Sequence, residues 1–137
     1  MEDIVAQDIF MDEVICPISI NMYYRCGSDE AWLYSLEKQP IDEGTPLIKD
    51  VLIERIEAIN CRSAAAFLAG IPEMPLQNIV VRDSSFQVKK TLEPGLEAEM
   101  CAGLPEYDFR GIRVINADVR FENVKVNTDP MIKVEEY

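Results

Sequence analysis

Asp3-Ile4-Val5-Ala6-Gln7-Asp8-Ile9, Asp50-Val51-Leu52-Ile53-Glu54-Arg55-Ile56 and Asn78-Ile79-Val80-Val81-Arg82-Asp83-Ser84 are three versions of one pattern. A shorter echo is Asn123-Val124-Lys125-Val126. Each version opens on Asp or Asn and continues through β-branched residues, often alternating with polar ones. That pattern marks a strand with a turn residue at its head. The copies begin 47, 28 and 45 residues apart. The middle interval suits one coil of a β-solenoid, and the longer two suit coils that carry inserted loops.

The content of the long intervals fits that division. Cys26 to Pro46 contains Gly27, Ser28, Pro40 and Gly44, and Lys89 to Asp108 contains Pro94, Gly95, Gly103 and Pro105, the punctuation of irregular chain. Loops are therefore expected at about 25–47 and 89–109 within a single domain spanning 1–137. Ala69-Gly70-Ile71-Pro72-Glu73 and Ala102-Gly103-Leu104-Pro105-Glu106 echo one another and are expected to close equivalent corners. Helical signals are weak. Ala31 to Lys38 has room for one or two turns, while Val51 to Ala58 reads as strand because of its β-branched content. A strand of this size cannot bury its apolar side alone. Stacking puts Ile4, Val51, Ile79 and Val124 in register, about 4.8 Å apart, around a continuous interior. Periodicity alone leaves a β-sandwich as the alternative.

Composition limits function. Of the 137 residues, 48% are apolar and 28% charged, enough for one modest core and a solvated surface. The net charge of −12 disfavours nucleic acid and repels anionic polysaccharide at long range, though salt screens the latter within about 10 Å. No apolar run approaches the roughly 20 residues that span a bilayer, and Met1-Glu2-Asp3-Ile4 does not open a signal peptide. Cys16, Cys26, Cys61 and Cys101 lack paired metal-ligand spacing and the chain has no histidine, so free thiols are expected and no metal or cofactor is.

Three ordered segments resemble glycoside hydrolase family 28, the polygalacturonases, and in particular bacterial exo-acting members. They are Pro17-Ile18-Ser19-Ile20-Asn21-Met22-Tyr23-Tyr24-Arg25-Cys26-Gly27, Thr45-Pro46-Leu47-Ile48-Lys49-Asp50-Val51, and Phe67 to Ile79 with its Gly70-Ile71-Pro72-Glu73-Met74-Pro75-Leu76-Gln77-Asn78 string. The resemblance implies an all-β, right-handed, pectin lyase-like parallel β-helix, here of about four coils. It also implies a parent enzyme that hydrolyses α-1,4-galacturonan with inversion. Inversion needs one carboxyl to protonate the leaving oxygen and another to activate water.

The family carries that chemistry on Asn-Thr-Asp, Asp-Asp, Gly-His-Gly and Arg-Ile-Lys motifs. This chain lacks the last three. Its Asn127-Thr128-Asp129 lies far from the family position and is expected to be a loop that ends the last strand. No catalytic residue is therefore assigned, and the catalytic coils are expected upstream of Met1. The family's members are often secreted or periplasmic.

The resemblance places Tyr24 where the family has a tyrosine near the cleavage point, with Tyr23 as the neighbour reached by a one-residue slip. Arg25 is the candidate for a galacturonate carboxylate, against a surface ion pair. Trp32 is a candidate stacking residue, against a loop anchor. Asp42-Glu43 and Glu135-Glu136 read as solvated acids. The implied partner is a pectic polysaccharide or oligogalacturonide. An uncovered N-terminal coil is further expected to self-associate, as a symmetric dimer. A non-catalytic solenoid that binds carbohydrate or a protein is the alternative function.

Overall fold

A computed structural model describes residues 1–23, 35–91, 93, 96, 104–105 and 109–137. Among these are strands and no helix: β1 Ile4–Asp12, β2 Ile18–Asn21, β3 Lys49–Cys61, β4 Ala66–Ala69, β5 Leu76–Val88, β6 Ile112–Ile115, β7 Ala117–Val126 and β8 Ile132–Glu135. The chain alternates between two sheets. One has the order β1-β3-β5-β7 and the other β2-β4-β6-β8, and every neighbouring pair is parallel. Parallel neighbours need a crossover connection. Here each crossover passes through a strand of the opposite sheet.

This arrangement corrects the expected right-handed, pectin lyase-like parallel β-helix of about four coils. The strands collect into two four-stranded sheets, and neither closes. The first is bounded by β1 and β7, the second by β2 and β8. The physical reason lies in the long strands. Each turns a corner part-way along without leaving its sheet, so a long strand and a short one supply all the pairing in each repeat.

The corners are residues with left-handed backbone. Asp8, Arg55, Asp83 and Asn123 all have φ between 49° and 57°, and each lies in the interior of a long strand. Asp3, Asp50 and Asn78 head their strands in the same conformation, and Glu13 and Asn60 follow five residues after Asp8 and Arg55. Asp and Asn accept this backbone because their short polar side chains bond locally. Each corner also resets the alternation of the strand. Along β3, Val51 and Ile53 face the core before Arg55, and Ile56 and Ala58 face it afterwards. The same switch takes β5 from Ile79 and Val81 to Phe86, and β7 from Val119 and Phe121 to Val124 and Val126.

The register confirms part of the sequence ladder and revises the rest. Ile4 pairs with Val51 and Val51 with Ile79, but the fourth rung is Val119. Val124 pairs with Ser84, because Asn123 stands at the mid-strand corner and not at a strand head.

The shorter sheet is covered on both faces. Ala66, Leu68, Ile112 and Val114 join the core between the sheets. Phe67, Ala69 and Ile115 join Tyr23 and Ile71 on the outer side, with Leu36 and Leu104 packed against them. Burial on both faces explains the nearly unbroken apolar run Ala64 to Ala69. No described residue between Asn21 and Lys49, or between Val88 and Ile112, lies in a strand.

Candidate functional site

Tyr24, Arg25 and Trp32 lie outside the described residues, as do Cys26 and Cys101, residues 31–34 of the candidate helical stretch, and Ala102, Gly103 and Glu106 of the second echo. Tyr23 is described, and it is a core residue. Its ring is fully buried with Phe67, Ala69, Ile71 and Ile115, its amide donates to Asn21 Oδ1 at 2.7 Å, and its hydroxyl donates to the Ser35 carbonyl at 3.5 Å. The slip to Tyr23 is thereby excluded as a sugar contact. Cys61 is a free thiol, and burial pushes it up.

Asn127-Thr128-Asp129 forms the connection between β7 and β8, one strand before the last. Asn127 binds the end of β5 with both side-chain atoms, accepting from the Val88 amide at 2.7 Å and donating to the Val88 carbonyl at 3.0 Å. Thr128 donates to the Pro130 carbonyl at 3.0 Å. These are the bonds of a structural corner.

The polar constellation of the first sheet is a ladder along its corners. Asn78 donates to Asp50 at 2.7 Å, Asn60 to Asp12 at 2.8 Å and Asn123 to Asp83 at 2.9 Å. Arg55 holds Asp8 through two bonds, and this hydrogen bonding lowers the Asp8 carboxyl below its usual range against a smaller opposing effect of burial. Glu54 accepts from Arg82 at 2.8 Å and pairs with Arg55 at 2.9 Å. Beside this ladder is an open depression of about 410 Å³, with Val5, Leu52 and Val80 between the Asp50–Asn78 corner and Arg82 and Arg120. Both guanidiniums already face acids, Arg82 on Glu54 and Arg120 on Glu122 at 2.8 Å. The depression therefore offers hydrogen-bonding corners and an apolar floor, with its positive charge already compensated.

A second constellation, absent from the sequence reading, lies on the outer face of the shorter sheet. Arg113 is 2% exposed and grips Glu135, 13% exposed, with bonds of 2.6 and 3.1 Å. It also donates to the Pro105 carbonyl at 3.2 Å and lies 5.9 Å from the Phe67 ring centroid. Glu135 is thus a part-buried ion-pair partner and not the solvated acid expected. Burial pushes its carboxyl up, but the hydrogen bond and charge of Arg113, aided by Lys133 and Tyr137, outweigh this and hold it below the usual range. The available signal was a lone arginine inside Gly111-Ile112-Arg113-Val114-Ile115, a strand with no polar side to place it on.

Hydrolysis by inversion needs a carboxyl held protonated near neutral pH. Asp8, Glu93 and Glu135 are all shifted the other way, each mainly through an arginine partner that overcomes burial. Among the described residues, no group of three or more His, Cys, Asp or Glu is placed to hold a metal. No family model, curated protein or solved structure matches this chain.

Proposed function

We propose that this chain is a non-catalytic part of a pectin-degrading glycoside hydrolase of the polygalacturonase type, contributing stacked scaffold and one side of a substrate cleft. The observation that carries this reading is the structural duty of the string on which the family resemblance rests. Gly70 stands where a Cβ would collide with the Asn116 carbonyl oxygen and lie 2.6 Å from the Leu76 nitrogen. Ile71 and Met74 close a tight turn, and Asn78 takes the left-handed corner and bonds to Asp50. Its glycine, turn and asparagine each have a structural role at their positions, which supports the string as a meaningful likeness.

The test has two arms. The pure chain, incubated with polygalacturonate, is expected to release no reducing ends. Titration calorimetry with galacturonate oligomers is expected to show saturable binding. Turnover that disappears in Asp129→Asn would overturn the non-catalytic assignment, and an absence of heat with every pectic oligomer would overturn the sugar assignment.

A further inference from the structure

We draw no further inference here: the strongest candidate, the open depression of about 410 Å³ on the first sheet over Val5, Leu52 and Val80, belongs to the site already described, and with Arg82 held by Glu54 and Arg120 by Glu122 nothing in the structure shows what covers its apolar floor.

Discussion

Replacing Glu135 by glutamine removes the countercharge of an arginine that solvent barely reaches. The variant keeps the shape of the side chain and one acceptor oxygen, but it turns an amide NH2 toward a guanidinium. Breaking a largely buried pair from one side costs about 3–5 kcal/mol, because the remaining charge loses its close countercharge. The bond from Arg113 to the Pro105 carbonyl and the contact with the Phe67 ring survive the change, so the lower end, about 3 kcal/mol, is expected. In a domain of this size each kcal/mol moves Tm by about 3–5 °C, which gives a fall of about 10–15 °C. Urea unfolding followed by far-ultraviolet circular dichroism measures the loss directly, with the slope against denaturant expected to be unchanged.

The double variant Arg113→Met/Glu135→Leu fills the same space without charge and is expected to recover most of the loss. The folded carboxyl titrates below its unfolded value. Its contribution is therefore present above the ordinary carboxylate range, about pH 4.3, and disappears as pH falls through the lower folded value. A loss under about 1 kcal/mol in Glu135→Gln, the size found for exposed pairs, would refute the argument.

Gly70→Ala pushes a methyl group between the Asn116 carbonyl and the Leu76 amide, which are hydrogen-bonded at 3.0 Å. Both atoms are backbone and yield poorly, so a loss of about 1–3 kcal/mol is expected in the same urea assay. Asn78→Val puts a β-branched residue at φ 51° and removes the bond to Asp50, and is expected to cost about 1–2 kcal/mol, whereas Asn78→Gly stays close to wild type.

The strands were legible because their chemistry is local. Asp or Asn followed by β-branched residues marked β1, β3 and β5, and the likeness of the three copies put Ile4, Val51 and Ile79 at one level. The second row of corners was harder to see. Asp8, Arg55, Asp83 and Asn123 share a backbone conformation but not a residue type, and Arg55 is held there by Asp8 and Glu54 rather than by its own preference. Taking Asn123 for a strand head shifts β7 and puts Val124 where Val119 stands. The division into two sheets escaped for the same reason, since nothing in the order of residues says whether a corner also ends the pairing. Arg113 and Glu135 meet only after the shorter sheet assembles, 22 positions apart in the chain, so no short window holds both. Of the site residues expected from the sequence, Tyr23 was resolved by packing: an aromatic ring next to a strand end is equally suited to a ligand and to a core until its neighbours are known.

The five-residue beat from Asp3 to Asp8 to Glu13, and from Asp50 to Arg55 to Asn60, has a consequence for how this chain can change in length. Inside a beat, one added or deleted residue would swap the inward and outward rows of everything downstream in that strand and put its acids in the core. The described residues 37–47 belong to no strand, so the same change there shifts no row. Tolerance to insertion should therefore differ sharply along the chain, and the exposed turn at Glu43 and Gly44 is a place to graft a tag, a reporter or a foreign loop.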